Sequence, residues 1–404
     1  MRRRRPALHD ASMCATRLLD DFLLDPSVTF LNHGSFGARP REVLAAQDAL
    51  RRELEASPVE FLGRRSAALL EEAMRPHAAL VWADPADLAF VTNATAGAGI
   101  ATASVALGPG DEVLGSDHEY GACVMGWKRA CARSGATWRE FEVPLPWAGD
   151  DDFMARLESA VTPRTRVLFL SQITSPTALR FPVERAVAFA RERGIATVID
   201  GAHVPGHIPL DLEALGVDFY FGNCHKWLCA PLGSAFIQVR RDLHASVQPP
   251  VASWGLVAEA EGGAVAVHDG YVGTSALSRR LRWLGTRDIT PFLAVPAAIG
   301  FCARHSGPAE SARCAALADA AARRIASFFG LEPATSAGQG LRMALAPLPP
   351  CDGAAVKAEL FDRYRIEVPV TSFGGRSWLR LSFHAYNDAA DAESLLAALG
   401  RMSF

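Results

Sequence analysis

Lysine is scarce in this sequence of 404 residues. The only lysines are Lys128, Lys226 and Lys357, so arginine carries almost all the positive charge. Lys226 lies in DFYFGNCHKWLCAPLG (218–233), in a run of aromatic residues, cysteines and leucine. Arginine is effectively always protonated, whereas a lysine removed from water can lose its proton and become a nucleophile. The position indicates amine chemistry; the alternative is a lysine that lies along the surface with its head in water.

Other absences exclude several classes of protein. The formal net charge of -3 gives no electrostatic case for nucleic acid or acidic membranes as partners. The eight cysteines form no C-x-x-C pair and no His/Cys cluster with zinc spacing, which favours free thiols in a reducing cytoplasm and no metal site. No run is long and apolar enough to span a bilayer, and charged residues such as Asp10 and Arg17 interrupt the segment after MRRRRP. We therefore expect a cytoplasmic protein without a signal peptide.

From about residue 40, helical and strand-like segments alternate. The composition, 50% hydrophobic and 21% charged, is that of an ordinary globular protein. Apolar strands are predicted at 88–93, 112–116, 137–143, 166–172, 195–200, 218–222 and 233–240. Such alternation with near-continuous apolar strands predicts an α/β fold, with a mostly parallel sheet flanked by helices. Ligands bind such sheets beyond the carboxyl ends of the strands.

The pattern changes after about residue 290. A long helix is predicted over 291–307, and strands are predicted at 341–348, 366–371 and 378–384, with helices at 353–365 and 388–401. The glycine-rich region 251–288 lacks periodicity and is predicted to be a long functional loop. We therefore divide the chain into an N-terminal arm (1–25), a large domain (26–288) and a smaller α+β C-terminal domain (289–404).

Polar residues follow three of the predicted strands. Thr92, Asn93 and Thr95 in VTNATAG (91–97) would cap the next helix, and a helix start at the sheet edge favours a phosphate; the alternative is a purely structural capped turn. Asp200 ends another strand, where a buried carboxylate needs a cationic partner, unless it only caps the following turn.

Lys226 follows Asp200 by 26 residues, which allows one more connection and one more strand. The lysine could then meet the aspartate across neighbouring strand ends. A pyridine nitrogen needs a carboxylate, a phosphate needs a helix start and an aldehyde needs a lysine. Pyridoxal 5′-phosphate carries all three groups, so the three sites together predict this cofactor.

The sequence resembles the class V aminotransferase family of fold-type-I pyridoxal-phosphate enzymes, and within it the isopenicillin N epimerase-like branch. The resemblance covers nearly the whole chain. It rests on FLNHGSFG (30–37), VTNATAG (91–97), HEYGA (118–122), ITSPT (173–177), DGAHVPGHIPLDL (200–212), GNCHKWLCAPLG (222–233), LGTRD (284–288) and LRLSFHAYN (379–387). It implies a fold-type-I transferase fold and a homodimer with shared active sites.

By this resemblance, Lys226 holds the cofactor as a Schiff base and then transfers protons. Asp200 pairs with the ring nitrogen, His203 bonds the phenolic oxygen and Tyr120 stacks on the ring. The predicted cofactor contacts elsewhere are Thr95, Ala96, Ser175, Asn223, His225 and, from the neighbouring subunit, Thr286. Arg380 matches the arginine that clamps the substrate α-carboxylate, because a guanidinium binds that planar group with two hydrogen bonds.

The sequence leaves the reaction open. Asn32 and His33 of NHGSFG (32–37) are predicted to contact an amino-acid-like substrate, although this segment could instead be a turn that holds the N-terminal arm. After loss of the Cα proton, epimerisation, transamination and β-elimination compete, and we favour an epimerase or a C–S lyase over an aminotransferase. Epimerisation needs a second acid, for which Tyr120, His118 and His33 are candidates. A further alternative is a non-catalytic scaffold or sensor, although Arg380 argues against it.

The resemblance also argues against one activity. Cysteine desulfurases carry a persulfide-forming cysteine before the strand of the substrate arginine. Here the segment VPVTSFGGRSWLR (368–380) is short and has no cysteine, and Cys351 lies too far upstream. Ser175 stands where those enzymes have asparagine, and Asn223 stands where the wider family often has serine. The protein is therefore not expected to be a cysteine desulfurase.

Overall fold

A seven-stranded sheet forms the centre of the molecule. The computed structural model describes residues 18–260, 269–273, 275–336 and 338–404. In chain order, strands β1–β12 are Thr29–Phe30, Leu88–Val91, Glu112–Ser116, Thr137–Phe141, Thr165–Ser171, Ala196–Asp200, Phe219–Asn223, Ala235–Val239, Met343–Pro347, Ile366–Glu367, Val370–Phe373 and Arg376–Ser382. The central sheet has the order β2-β8-β7-β6-β5-β3-β4, and β8 alone runs antiparallel to the other six strands.

Helices cover both faces of this sheet. Helices α1–α16 are His33–Phe36, Arg41–Ala56, Ser66–Leu80, Ala94–Ser104, Gly121–Ser134, Asp150–Ala160, Val183–Glu192, Leu212–Leu215, Trp254–Ala260, Asp269–Val272, Ala276–Leu281, Thr290–Leu293, Val295–His305, Pro308–Phe329, Gly353–Tyr364 and Ala389–Leu399. A π-helical turn, Val59–Arg65, precedes α3, and short 3-10 turns span Leu18–Asp21, Pro85–Asp87 and Arg241–Ser246.

Successive side chains of the central strands pack alternately into two separate hydrophobic cores. In β5, Leu168 and Leu170 join a core that includes α3, α6, α7 and α13. Val167 and Phe169 point the opposite way and join a core that includes α4, α5 and α11. Successive side chains of a strand point to opposite faces, so a strand covered on both sides is apolar at every position. The predicted α/β class with a mostly parallel sheet is therefore confirmed.

A second, smaller sheet lies towards the C-terminal end of the chain. Its order is β11-β12-β9, and all its pairs are antiparallel. Helices α14, α15 and α16 supply apolar residues to the core beside it. The short strand β1 pairs with β10, which joins the start of the described chain to this region. The boundaries of the arm and the two domains remain predictions.

Some predicted elements differ from the structure. The region 251–288 contains α9, α10 and α11, so the prediction of a long structureless loop is wrong for its described residues. Residues 291–307 form two helices, α12 and α13, instead of one, and the 22-residue α14 was not predicted. At the start of α4, the side chain of Asn93 caps the helix by accepting a hydrogen bond from the Ala96 N–H. Among the described residues, no helix combines the length and the hydropathy that crossing a bilayer requires.

Candidate active site

A cavity of about 490 Å³ opens at the carboxyl ends of the parallel strands. It is the place where such a sheet binds ligands. Its wall includes these predicted site residues: Thr95, Tyr120, Ser175, Asp200, His203, Asn223, His225, Lys226 and Arg380. They follow β2, β3, β5, β6 and β7, or lie on β12 in the smaller sheet. The fold thus brings residues distant in sequence to one cavity.

Lys226 follows β7, is half-buried and lines the cavity. Its Nζ is 3.1 Å from Nε2 of His203. Burial, and then the positive charge of Arg380, lower the pKa of Lys226 from 10.5 to about 7, although Asp200 acts in the opposite direction. A large fraction of the amine is therefore neutral near pH 7. This is the form that attacks an aldehyde.

His203 is neutral, and its hydrogen bonds identify the tautomer. The indole N–H of Trp227 points to Nδ1 of His203 at 3.4 Å. An indole nitrogen can only donate, so Nδ1 accepts and the ring proton lies on Nε2. Burial and the nearby positive charges hold the pKa of His203 well below its usual value. Nε2–H is therefore a donor that faces the cavity beside Lys226.

Asp200 ends β6, and its side chain is 4% exposed. Its Oδ1 accepts a hydrogen bond from the Ala202 N–H at 2.8 Å. Among the described residues, its Oδ2 accepts a hydrogen bond only from the thiol of Cys123, at 3.6 Å. Burial raises the pKa of this carboxyl, while Lys226 opposes that rise. Oδ2 is therefore the atom that is available to a protonated ring nitrogen in the cavity.

The start of α4 forms the anion-binding end of the cavity. The Ala94 N–H donates to Oδ1 of Asn223 at 2.8 Å, and the Ala96 N–H donates to Oδ1 of Asn93. Within the described residues, the Thr95 N–H has no partner, so this amide and the Thr95 hydroxyl remain for a phosphate. Ala96 does not line the cavity and its N–H is already used, so the predicted contact of Ala96 with the phosphate lacks a free donor.

His225 lies at the same end. Its Nδ1 is 3.1 Å from the carbonyl oxygen of Ser234, which can only accept, so Nδ1 carries the ring proton. Burial lowers the pKa of His225 to about 4. The neutral ring therefore offers a lone pair at Nε2 and donates from that atom only after it gains a proton. A bound dianion would favour that protonation.

Arg380 is a buried cation without a counter-ion. It is 5% exposed; its Nη1 donates to the Ser175 carbonyl at 2.6 Å, and its Nη2 donates to the Ser35 hydroxyl at 2.9 Å. Its Nε has no hydrogen-bond partner, and no carboxylate in the described part of the chain forms a salt bridge with it. Burial lowers the pKa of Arg380 to about 10. An unpaired buried charge is costly, so the site is arranged for an incoming carboxylate.

The structure places other predicted residues away from the cavity wall. Asn32 donates to Glu367 Oε1, and Thr286 is exposed between α11 and α12. His33 is fully buried, and both of its ring nitrogens have partners: Tyr386 Oη at 2.8 Å and the carbonyl of Lys226 at 3.1 Å. The structure therefore does not support substrate contacts from Asn32 or His33, because both side chains are engaged elsewhere.

Two of the three candidates for a second acid are also accounted for otherwise. His118 is buried between Oγ1 of Thr177 and the carbonyl of Val143, both at 2.6 Å, and it does not line the cavity. His33 is fully buried, both of its ring nitrogens have hydrogen-bond partners, and it does not line the cavity. Tyr120 lies on the cavity wall and is 45% exposed. Of the three, only Tyr120 can meet a molecule in the cavity from its place in this structure.

A buried polar cluster supports the turn that carries Lys226. The rings of His33 and His384 stack with centroids 4.1 Å apart and planes 20° apart. Cys229 Sγ lies 3.6 Å from His384 Nε2 and 3.8 Å from His33 Nε2. The ligand atoms of the three side chains lie within 4.8 Å of one another, but Nε2 of His33 is also 3.1 Å from the carbonyl of Lys226, and the positive charge of Arg342 acts on both rings. The cluster is therefore better suited to a neutral support than to a metal ion.

Residues 32–37 are fixed against the same turn. Gly37 has a φ of +69°, and a Cβ there would lie 2.2 Å from the carbonyl oxygen of His225 and 2.7 Å from that of Lys226. Only glycine fits this close approach. Ser35 lines the cavity and also holds Arg380. The NHGSFG segment therefore supports the turn that carries Lys226 and holds Arg380, a role that differs from both alternatives considered from the sequence.

Sequence reasoning missed Cys123 and Glu119. Cys123 lies one turn after Tyr120 on α5, so helical spacing from Tyr120 could have identified it. Glu119 is buried; it accepts hydrogen bonds from Ser116 and from Ser171. Burial raises the pKa of Glu119 to about 8, against the effect of these hydrogen bonds. No pattern in the sequence marks this glutamate as buried.

The cavity fits pyridoxal phosphate. A neutral lysine, a carboxylate with one free oxygen and a helix start with an open N–H lie around one space, and these are the groups that an aldehyde, a ring nitrogen and a phosphate require. His203 can donate to the phenolic oxygen, and Asn223 retains its NH₂ group because its oxygen serves α4. No residue on the wall conflicts with the predicted cofactor.

Comparisons with known proteins agree with this assignment. The family model "Aminotransferase class-V" matches residues 30–395. The isopenicillin N epimerase of Amycolatopsis lactamdurans is 39% identical over 386 residues, covering 94% of this chain and 96% of that protein. A putative L-cysteine desulfhydrase of Oryza sativa subsp. japonica is 28% identical and covers 94% and 84%. A solved structure of C-DES, a mutant with glycine covalently linked to its PLP cofactor, shares the fold, with a TM-score of 0.78, 20% identity and coverage of 93% and 97%. The chain belongs to the class V aminotransferase family.

Proposed function

We propose that the protein is a pyridoxal-phosphate enzyme that acts at Cα and Cβ of an amino acid or a peptide-like substrate, as an epimerase or a C–S lyase. One observation carries the proposal: Lys226, Asp200 and the unpaired Arg380 face the same cavity. A scaffold would need the first two residues, but it would have no use for a buried cation that awaits a carboxylate. The cation therefore favours catalysis over mere cofactor binding.

Each residue has a defined task in the proposed reaction. The bound cofactor stabilises the negative charge that remains at Cα after its proton is removed. Arg380 binds the α-carboxylate and so orients Cα. Lys226, with its lowered pKa, accepts the Cα proton near neutral pH. Asp200 keeps a proton on the ring nitrogen through Oδ2, and His203 donates from Nε2.

Tyr120 distinguishes the two outcomes. Epimerisation needs an acid on the face of Cα opposite the base, and Tyr120 is the candidate on the cavity wall. Elimination needs no such acid, since the pair of electrons leaves with the β-substituent. The relatives support both outcomes: an isopenicillin N epimerase is the more similar, and L-cysteine desulfhydrases belong to the same set.

The proposal excludes a cysteine desulfurase activity. Residues 368–380 contain no cysteine, and Val370–Phe373 pairs with Arg376–Ser382 through a tight turn at Gly374 and Gly375. Cys351 does not line the cavity. The exposed position of Thr286 supports the further proposal of a homodimer, in which this threonine reaches the partner's cofactor.

Exchange of the Cα proton with solvent deuterium tests the proposal. The holoenzyme is incubated in D₂O with a panel of amino acids, and the products are assayed for deuterium at Cα, D-isomer, pyruvate, ammonia and keto acid. We expect exchange with at least one substrate, accompanied by D-isomer or by pyruvate and ammonia. A stoichiometric keto acid without either would indicate an aminotransferase. A protein that binds the cofactor but exchanges no Cα proton with any substrate would be a scaffold, and Lys226→Ala is the control.

A further inference from the structure

Cys123 is the one thiol that contacts Asp200 among the described residues. It lies on α5, one turn after Tyr120, and lines the cavity although it is only 3% exposed. Its Sγ is 3.6 Å from Oδ2 of Asp200, while Oδ1 of Asp200 is already bonded to the Ala202 N–H. The thiol therefore contacts the Asp200 oxygen that has no other hydrogen bond among the described residues, and it contacts no other described carboxylate.

The surroundings keep this thiol protonated. The charges of Asp200, Glu119 and Lys226 act on Cys123, and the charge of Lys226 also acts on Asp200. The phenol of Tyr220, in β7, also faces Asp200, whose charge raises the pKa of that phenol. Burial and then the negative charge of Asp200 raise the pKa of Cys123, and Lys226 opposes this only in part. A protonated thiol is a weak donor. Its contact lowers the pKa of Asp200, and a stronger donor such as a hydroxyl would reduce the basicity of the carboxylate further.

We propose that Cys123 is a positioning residue whose weak thiol donor lies against Oδ2 of Asp200, in place of a stronger donor, and so leaves that oxygen basic enough to keep the cofactor's ring nitrogen protonated. The inference rests on the proposed function, since it needs a ring nitrogen in the cavity. A hydroxyl at this position would donate a stronger hydrogen bond to Oδ2 and compete with the ring N–H. An alanine would remove the competing donor altogether.

Serine and alanine therefore act in opposite directions. Cys123→Ser weakens the hold of Asp200 on the ring proton, whereas Cys123→Ala strengthens it. The ring nitrogen reports this directly when the apoprotein is loaded with cofactor labelled with ¹⁵N at that position. At a fixed pH, we expect the ¹⁵N resonance to move towards the unprotonated limit in Cys123→Ser and towards the protonated limit in Cys123→Ala. The exchange rate of the Cα proton should fall about tenfold in Cys123→Ser, equivalent to about one pKa unit.

Cys131→Ser is the matched control. Cys131 lies two turns further along α5, is equally buried and does not line the cavity. Its substitution should leave the ¹⁵N resonance unchanged. If Cys123 had a purely structural role, the ¹⁵N resonance would move in the same direction in Cys123→Ser and in Cys123→Ala. That result, or no movement in either Cys123 variant, overturns the inference.

A measurement on the unchanged protein guards against variants that fail to fold. Cys123 lines the cavity, so alkylation of the apoprotein followed by peptide mapping should show that bound cofactor slows modification of Cys123 and leaves that of Cys131 unaffected. Equal rates with and without cofactor would contradict the contact. If the unchanged protein binds no pyridoxal phosphate, the proposed function itself fails; if it binds the cofactor and exchanges Cα protons while the ¹⁵N results disagree, only the role of Cys123 fails.

Discussion

Replacing Arg380 with methionine should separate activity from stability. Methionine retains a long side chain but removes the charge. Burial lowers the pKa of Arg380 from 12.5 to about 10, which corresponds to roughly 3 kcal/mol of unfavourable burial of the charge. The hydrogen bonds to Ser175 and Ser35 recover part of this cost. We therefore expect the free energy of unfolding of Arg380→Met to change by less than about 1 kcal/mol, or to increase.

The same change should severely reduce activity on substrates with a free α-carboxylate. Loss of one partner of a buried charge pair costs about 2–5 kcal/mol, so kcat/KM should fall by roughly 30-fold to 4,000-fold. Steady-state kinetics with an amino acid and with its carboxamide provides the assay. The carboxamide should be a poor substrate for the unchanged enzyme and should lose little further activity in the variant.

Arg376→Met is the control for this experiment. Arg376 lies on the same strand, β12, but is exposed and stacks over Trp378 at 4.7 Å. Its substitution should leave kcat/KM within about twofold. The reasoning about Arg380 is refuted if Arg380→Met keeps its kcat/KM for the carboxylate, or if the carboxylate and the carboxamide lose activity equally.

Three other predictions concern the lysine, the second acid and the turn beneath the lysine. The rate at which the apoprotein captures the cofactor should rise with pH with a midpoint of about 7, because the neutral amine of Lys226 is the reactive form and its pKa in the folded protein lies below 10.5. Stopped-flow absorbance measures this midpoint. A rate that keeps rising to pH 10 would contradict the lowered pKa. Tyr120→Phe should lower the rate of epimerisation by about 10² or more, but lower the rate of elimination less than about tenfold. Chiral chromatography measures the first rate and pyruvate release the second. Equal losses in both rates would count against Tyr120 as the second acid. Gly37→Ala should lower the free energy of unfolding by about 2 kcal/mol or more in thermal melts, because its Cβ would collide with the carbonyl of His225. Gly375→Ala, at φ +71° with open space around it, isolates the backbone strain and should cost less.

The sequence predicts the sheet and much of the cavity for a physical reason. The central strands are buried on both faces, so they read as apolar runs, and the residues that follow them must meet at one edge of a parallel sheet. Asp200 and Lys226 end or follow neighbouring strands, β6 and β7, and both line the cavity. Order along the chain and the parallel direction of the strands were sufficient to place them together.

The sequence did not predict the contacts between segments that lie far apart along the chain. His33 offers two ring nitrogens that would suit a substrate, but Tyr386 and the carbonyl of Lys226 occupy both. In 251–288, α10 packs against α3 and α11 packs against β2, and the sequence of this region, which lacks clear periodicity, does not indicate these contacts. The sequence around Cys123 does not indicate its role, because that role depends on a 3.6 Å contact between this residue of α5 and the carboxylate of Asp200 at the end of β6. Tertiary contacts overrode local pattern in each case.

Reductive trapping offers a decisive test of the lysine. The holoenzyme is treated with borohydride, digested and mapped by mass spectrometry, and the chain has only two other lysines, Lys128 and Lys357. The neutral amine that shares the cavity with Asp200 predicts a single reduced pyridoxyl group on the peptide that contains Lys226, at one per chain. A label on Lys128 or Lys357, or a cofactor that washes away after reduction, would contradict the placement of the reactive amine.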